Sequence, residues 1–302
     1  MIRFASGCLA LLLVATSAGA QQQDFSKVTI TTERITDRLH LLVGAGGNMA
    51  VSSGPDGIFL VDDQYAPLTD KIRAAIAAIG PGAIRFVLNT HWHGDHTGGN
   101  ENLGTGGTII VAQDNVRTRM STEQFNEMFN QRTPPSARDA LPVVTFSESV
   151  TFHLNGEEVH AFHVAPAHTD GDAIVHFRRD NVLHGGDVFF NGLYPYIDES
   201  SGGSIEGMIA ATTHMLSLAN EHTRIIPGHG PLASRADLVA YREMLTTIRD
   251  RVRTAVRQGK TVTQVQQSKP TSEFDATWGH GFLTPDDFVA IVYPLVKKAE
   301  GR

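Results

Sequence analysis

Cysteine is almost absent from this chain, and so are long apolar runs and an excess of basic residues. Cys8 is the single cysteine among 302 residues, so an internal disulfide and a multi-cysteine zinc site are both excluded. Beyond the N-terminal region, no segment has the 18 or more consecutive apolar residues that a membrane helix needs. The net charge of −7 does not favour a nucleic-acid partner. Any metal chemistry must therefore use His, Asp and Glu.

The first twenty residues have the pattern of a secretory signal peptide. Arg3 supplies a short positive region, Leu9 to Ala15 is apolar throughout, and Ala18-Gly19-Ala20 is a small-x-small cleavage site. Cleavage after Ala20 would also remove Cys8, and a chain without cysteine suits an oxidising compartment. We therefore predict an exported protein in a bacterial periplasm, with no membrane anchoring after cleavage.

Residues 21–302 are predicted to form one domain, because no repeat, low-complexity run or Pro/Ser linker divides them. Short β-rich runs such as Leu39–Val43 alternate with segments of helical spacing such as Leu68–Ile79. The polar stretch from Glu123 to Pro142 is expected to be an insertion lying over the body. The alternation favours an α/β (α+β) domain with helices outside mixed sheets.

The most informative segment is His91-Trp92-His93-Gly94-Asp95-His96, which follows the apolar strand-like run Ile84–Asn89. Histidine is the commonest metal ligand, and imidazole with carboxylate suits zinc or iron. In an extended chain His91 and His93 point to the same side and can share one ion. Asp95 and His96, beyond the bend at Gly94, can then turn toward a second ion. The alternative, a turn with solvated histidines, does not require three of them.

Three further candidate ligands lie in Gly/Pro-rich turns after β-rich runs. They are His168, Asp187 and His229. Loops at strand ends are where a rigid scaffold presents functional groups. One such histidine is more often solvated than a ligand, but four such segments in one chain together indicate a metal centre.

These segments, in this order and spacing, resemble the metallo-β-lactamase-fold hydrolase superfamily, and the resemblance runs from about Val28 to Gln258. It implies a four-layer αββα sandwich with two metals at the edge between the sheets. By the same resemblance, the metal ligands divide into two sets that share one residue: His91, His93 and His168 for the first ion, Asp95, His96 and His229 for the second, and Asp187 as the bridge.

The implied chemistry is hydrolysis by a water that two adjacent dications share and activate. Asp95 is the candidate catalytic residue, because its carboxylate can accept a hydrogen bond from the bridging hydroxide and orient it. We expect two Zn²⁺ per chain, with iron or manganese as open alternatives. We expect a small-molecule substrate and no nucleic acid, and the oligomeric state stays open.

The substrate is less determined than the chemistry, since the superfamily resembled contains many hydrolases. Export favours a β-lactam as the best single guess for an amide or ester bond. Against it, the lactamase subclass with the closest layout has Gly-Gly-Cys and a lysine three residues later, where this chain has Asp187 and Phe190. The alternatives are a glyoxalase-type thioesterase, a lactonase or other acyl-ester hydrolase and, from another class, a non-hydrolytic redox or accessory protein.

Several neighbours of the ligands are candidates for supporting roles. Carboxylates can fix the ligand histidines; the candidates are Asp62, Asp63, Asp170 and Asp172. Aromatic residues could line a pocket or pack in the sheet; these are Trp92, Phe190, Tyr194 and Tyr196. The glycine-rich turn Gly44–Asn48 could flank its mouth.

Overall fold

The computed structural model describes residues 24–301, and the predicted signal peptide lies outside them. The strands in chain order are β1 Thr31–Arg34, β2 Leu39–Val43, β3 Met49–Gly54, β4 Gly57–Val61, β5 Ile84–Leu88, β6 Ile109–Gln113, β7 Gln124–Asn126, β8 Gln131–Thr133, β9 Val144–Phe146, β10 Ser149–Leu154, β11 Glu157–His163, β12 Ala173–Phe177, β13 Val182–His184, β14 Arg224–Ile226 and β15 Ala233–Ser234. The α-helices are α1 Thr69–Ile79, α2 Gly94–Thr97, α3 Asn100–Gly104, α4 Asp114–Met120, α5 Ile205–Leu218, α6 Arg235–Arg257, α7 Val262–Gln267, α8 Asp275–Trp278 and α9 Pro285–Ala299. None of the helices within residues 24–301 combines the length and the hydrophobicity of a membrane span.

Two mixed sheets form the centre of the molecule. One has the strand order β1-β2-β3-β4-β5-β6-β9, and the other has the order β10-β11-β12-β13-β14-β15. In the first sheet β4, β5, β6 and β9 run parallel, and in the second β13 and β14 are parallel neighbours. Parallel neighbours end at the same edge of a sheet, so the loops that follow them gather there.

Alternation of apolar residues assigns the two faces of the first sheet to different layers. In β4, Phe59 and Val61 pack toward the second sheet, whereas Ile58 and Leu60 pack with α1. A strand that is covered on both faces has a continuous run of apolar residues, and β4 has such a run. On the far side, α5, α6 and α9 cover the outer face of the second sheet. The four-layer αββα sandwich is therefore confirmed.

The segment from Glu123 to Pro142, expected to be an insertion lying over the body, contains the β-hairpin β7–β8. Its polar sequence shows no apolar alternation to mark the strands. The hairpin is attached through Asn126, whose Nδ2 donates to the Tyr196 hydroxyl at 2.6 Å. Phe129 lies against the same tyrosine, with ring centroids 5.1 Å apart. The bend predicted at Gly94 is also more regular than expected, because it begins the short helix α2.

Candidate metal centre

Seven residues converge at the edge where the two sheets meet, and we call them the His/Asp cluster: His91, His93, Asp95, His96, His168, Asp187 and His229. All seven sequence candidates thus lie together, in four loops. Those loops follow β5, β11, β13 and β14. The register of the parallel pair β13–β14 places His184 opposite Ile226, so the loops carrying Asp187 and His229 leave the sheet side by side.

The cluster divides into two groups of converging ligand atoms. His91, His93, His168 and Asp187 form one, and Asp95, His96 and His229 form the other; within each group the ligand atoms lie within 4.8 Å of one another. Asp187 also faces the second group. Its Oδ2 is 3.5 Å from His168 Nε2 and 3.8 Å from His91 Nε2, whereas its Oδ1 is 3.1 Å from His96 Nε2 and 3.5 Å from His229 Nε2. One carboxylate oxygen therefore faces each group.

Asp62, at the end of β4, fixes two of the rings. Its Oδ2 accepts from His96 Nδ1 at 2.8 Å and from Thr90 Oγ1 at 2.8 Å, and its Oδ1 accepts from Thr90 N at 2.8 Å. Because the Thr90 hydroxyl donates its proton to Asp62, the Thr90 oxygen accepts from His91 Nδ1 at 3.1 Å. Both Nδ1 atoms thus donate outward, and both Nε2 atoms face the cluster, where each can bind a metal ion once it carries no proton.

The rings of His93 and His168 are fixed from the other side. His93 Nε2 donates to Asp198 Oδ2 at 3.0 Å, and His168 Nδ1 donates to the Tyr196 carbonyl at 2.8 Å. Their inner nitrogens, His93 Nδ1 and His168 Nε2, lie 2.9 Å apart. Two lone pairs at this distance need a positive charge beside them. A metal cation bound to both nitrogens would supply it.

The electrostatics of the second group also demand a cation. Burial opposes ionisation of Asp95, but the charges of His96 and His229 lower its pKa to about 2. Burial likewise opposes ionisation of Asp187, yet the surrounding histidines, His96 first, hold its pKa well below the ordinary value. The carboxylates in turn raise the pKa of His229 to about 9 and that of His96 well above its usual value, although burial alone would lower both. Without ions, protons on these rings balance the carboxylates.

The residues present fit divalent metal ions. His91 Nε2 is buried, points into the cluster and has no hydrogen-bond partner in residues 24–301. Burial lowers the pKa of His91 well below its ordinary value and that of His168 to about 4, so both rings are neutral ligands at pH 7. Imidazole and carboxylate without thiolate is a donor set that suits zinc, iron or manganese. The first group would hold one ion and the second group another, with Asp187 facing both.

The glycine-rich turn Gly44–Asn48 lies directly against the cluster. Gln64 holds it, since its Oε1 accepts from Ala45 N and Gly46 N, and its Nε2 donates to the Gly47 carbonyl. A Cβ at Gly47 would lie 2.0 Å from Cε1 of His96. Glycine is required there because the backbone passes the imidazole without room for a side chain.

A buried histidine outside the cluster connects two ligand loops. His184 Nε2 donates to the Asn48 carbonyl at 3.1 Å, and its Nδ1 accepts from Gly186 N at 3.1 Å. Burial lowers the pKa of His184, in agreement with this neutral ring. The Asn48 side chain donates to the carbonyls of Pro227 and Gly230, on either side of His229. His184 and Asn48 thus hold the Asp187 turn and the His229 loop in a fixed relation.

Only some of the candidate carboxylates reach the ligands. Asp172 accepts from His168 N at 2.7 Å and from Thr169 N and Oγ1, so it shapes the His168 loop. Asp170 instead pairs with Arg119, and Asp63 accepts from Gly99 N. Asp62 and Asp172 therefore support the cluster through direct hydrogen bonds.

The four aromatic candidates separate into different environments. Phe190 stacks on His229, with centroids 5.2 Å apart and planes inclined by 19°. Tyr196 lies 6.1 Å from the ring of His93 and 6.0 Å from that of His168. Trp92 is buried and donates to Ser201 Oγ, whereas Tyr194 is buried against Phe288 in the helical core. Tyr194 therefore belongs to the packing rather than to the site.

Sequence reasoning missed Asp198, Asn48 and the linking role of His184. Asp198 follows Tyr196 in an irregular loop, and its oxygens also accept from Ser200 Oγ and Ser201 Oγ. Burial would raise the pKa of Asp198, but the hydrogen bond from His93 holds it below its usual range. A single loop aspartate 105 residues from its partner carries no spacing signal. Its position two residues after the candidate Tyr196 was the one hint.

Known proteins resemble this chain in sequence and in fold. A profile described as "Metallo-beta-lactamase superfamily" matches residues 48–231, which include the whole His/Asp cluster. The fold is similar to that of a metallo-beta-lactamase from Pontibacter korlensis, with a TM-score of 0.58 and 17% identity over 72% of this chain and 99% of that one. The DIM-1 metallo-beta-lactamase has a TM-score of 0.58 and 19% identity over 73% of this chain and 99% of its own.

A double mutant of the sec-alkyl sulfatase PisA1 gives a TM-score of 0.64 and 16% identity over 87% of this chain. This chain spans 50% of that sulfatase. Identities this low show a shared fold alone, but the profile match covers more than half of the chain. The chain belongs to the metallo-beta-lactamase superfamily.

Proposed function

We propose that this protein is a dinuclear zinc hydrolase that cleaves an amide or ester bond. The observation that carries the proposal is the position of Asp187, which directs one carboxylate oxygen toward each group of the His/Asp cluster. Two divalent ions held there would lower the pKa of a shared water and polarise the scissile carbonyl. The chain's own residues hold and orient the reactants.

We expect Asp95 to orient the attacking water. Its Oδ2 lies 3.2 Å from His229 Nε2, and its low pKa keeps it ionised at neutral pH. An ionised carboxylate can accept a hydrogen bond from a water beside it, which leaves a lone pair of that water directed at the substrate. The side chains of Asp95 and His229 are 23% and 25% exposed, whereas that of Asp187 is 5% exposed. The substrate therefore approaches from the side of Asp95 and His229.

A β-lactam is the first substrate to test, and an acyl ester is the second. Phe190 counts against the β-lactam, because the lactamase subclass with the closest layout has a lysine at this position, whereas here a buried phenyl ring stacks on His229. A lysine there would bind a substrate carboxylate, and a buried phenyl ring supplies no positive charge for it. We therefore expect a small substrate without a carboxylate beside the scissile bond.

The test is hydrolysis by the mature chain after zinc loading. We expect two zinc ions per chain and turnover of at least one of a chromogenic cephalosporin, a lactone, a thioester and a carboxylic ester. Asp95→Asn should reduce kcat by about 10²- to 10⁴-fold, whereas the exposed control Asp70→Asn should not. Iron content with oxygen consumption, or no turnover across the panel, would overturn the proposal in favour of a redox or accessory protein.

We also propose that the chain is exported to the periplasm, on the basis of the Ala18-Gly19-Ala20 cleavage pattern. Expression in a Gram-negative bacterium should yield a periplasmic protein whose N-terminal residue is Gln21. A cytoplasmic protein that retains Met1 would contradict this.

A further inference from the structure

A cavity of about 540 Å³ lies beside the His/Asp cluster, between the tip of hairpin β7–β8 and helix α9. Its apolar wall is formed by Met128, Tyr196, Ile197, Ala290, Ile291 and Pro294. A volume of several hundred Å³ with a mainly apolar wall is typical of small-molecule sites. No residue of the cluster lines this cavity, but Tyr196 of its lining lies next to the cluster.

Tyr196 is the wall that the cavity shares with the metal centre. Its ring lies about 6 Å from the rings of His93 and His168, and its carbonyl accepts from His168 Nδ1. Asn126 donates to its hydroxyl at 2.6 Å, which in turn donates to Asp198 Oδ1 at 3.3 Å. Tyr196 is thus the residue at which the cavity and the His/Asp cluster adjoin.

The hairpin β7–β8 exposes apolar side chains beside the cavity. Phe125, Met128 and Phe129 are 40%, 44% and 49% exposed, all within five residues. Phe129 packs on Tyr196 and Met128 lines the cavity. Contiguous exposed apolar side chains of this kind mark binding sites. Here the apolar side chains border the cavity and its shared residue Tyr196.

The charges around the cavity disfavour an anionic occupant. Glu127 and Glu199 both line it, and the one lysine of its lining, Lys298, lies 3.6 Å from Glu199. Two carboxylates against one paired ammonium repel a carboxylate or a phosphate. The wall therefore suits an uncharged hydrocarbon segment.

We propose that this cavity binds an apolar chain of the substrate while the scissile bond lies at the His/Asp cluster. This inference rests on the proposed hydrolase function and specifies its substrate as an ester with a hydrocarbon chain. Each methylene that enters an apolar site adds about fourfold to kcat/KM at full burial. Since the cavity is partly open, we expect about two- to fourfold per methylene until it is filled.

The experiment compares chain lengths with a cavity-filling variant. Zinc-loaded protein is assayed with p-nitrophenyl esters from acetate to octanoate, and with acetates of alcohols from ethanol to octan-1-ol. These two arms show whether the acyl or the alcohol chain enters the cavity. Ala290 is an exposed helix residue of the wall, so Ala290→Trp fills the cavity without disturbing the core. Ala299→Trp, exposed at the end of the same helix and outside the cavity, is the matched control.

We expect kcat/KM to rise with chain length in at least one arm. Ala290→Trp should lower the ratio of long-chain to short-chain kcat/KM by at least about tenfold, and Ala299→Trp should keep the wild-type ratio. A ratio independent of chain length in both arms, or one that Ala290→Trp leaves unchanged, would overturn the proposal.

A binding measurement separates this inference from the proposed function. Octan-1-ol is titrated calorimetrically into the wild-type protein and both variants, since its binding requires no turnover. Binding that only Ala290→Trp weakens supports the cavity even if no ester is cleaved, in which case the hydrolase proposal alone fails. Equal affinity in all three proteins, or no binding, would overturn the cavity proposal even if esters are cleaved.

Discussion

Replacing Asp62 by Asn tests whether an outer carboxylate sets the lone pairs of the metal centre. The change is nearly isosteric, and asparagine accepts the left-handed backbone that Asp62 adopts, with φ of 60°. It removes one charge and exchanges one acceptor oxygen for a donor NH₂. Three donors face this carboxylate, namely Thr90 N, Thr90 Oγ1 and His96 Nδ1, each at 2.8 Å.

The amide cannot satisfy all three donors in either orientation. If its NH₂ replaces Oδ1, it faces the Thr90 N–H, and a buried donor loses its partner at a cost of about 1–3 kcal/mol in the free energy of unfolding. If its NH₂ replaces Oδ2, it donates to His96 Nδ1 and moves the ring proton to Nε2, the atom that faces the cluster. In this orientation of the amide, we expect the affinity for the second metal ion to fall about 10- to 100-fold.

Competition with a chromophoric zinc chelator measures this affinity, and urea denaturation measures stability. Asp63→Asn is the matched control, because Asp63 is equally buried but hydrogen-bonds Gly99 N rather than a histidine ring. Burial already raises the pKa of Asp63 well above its usual value, so the neutral amide replaces a carboxyl that tends to be neutral. Asp63→Asn should retain the zinc affinity. Wild-type zinc affinity and stability in Asp62→Asn would refute the reasoning.

Three further predictions concern the same centre. At pH 7.5 the metal-free protein carries protons on His96 and on His229, whose pKa is about 9. Zinc binding should therefore release about two protons per chain, and fewer above pH 9. Calorimetry in buffers of different ionisation heat measures this release, and binding heats that do not depend on the buffer would contradict it. Gly47→Ala should abolish binding of the second ion, because the new Cβ overlaps the His96 ring, whereas Gly94→Ala, with no atom within 4 Å of its Cβ, should retain two ions by elemental analysis. His184→Leu leaves two buried backbone groups unpaired and should lower the free energy of unfolding by about 2–5 kcal/mol in urea titrations; a smaller loss would mean that these bonds do not support the ligand loops.

The sequence predicted the main elements well where burial is continuous. The run in β4 is apolar because both of its faces are covered, and the helix expected over Leu68–Ile79 appears as Thr69–Ile79 with Ile72 and Ile76 buried. The hairpin was not predicted, because its strands Gln124–Asn126 and Gln131–Thr133 are polar and bury little. Its contact with Tyr196, 70 residues away along the chain, could not be recognised from a local pattern.

The sequence by itself determined which residues gather at the metal centre, since ligand chemistry dictates residue type and their positions after β-rich runs place them at strand ends. The tertiary structure alone decided how those residues are oriented. The proton positions depend on Asp62 and Asp198, and the relation of two ligand loops depends on the pair His184–Asn48, separated by 136 residues. Such hydrogen bonds join residues that folding brings together from distant parts of the chain. They leave no spacing in the sequence, because each needs only one polar atom at one buried point in space.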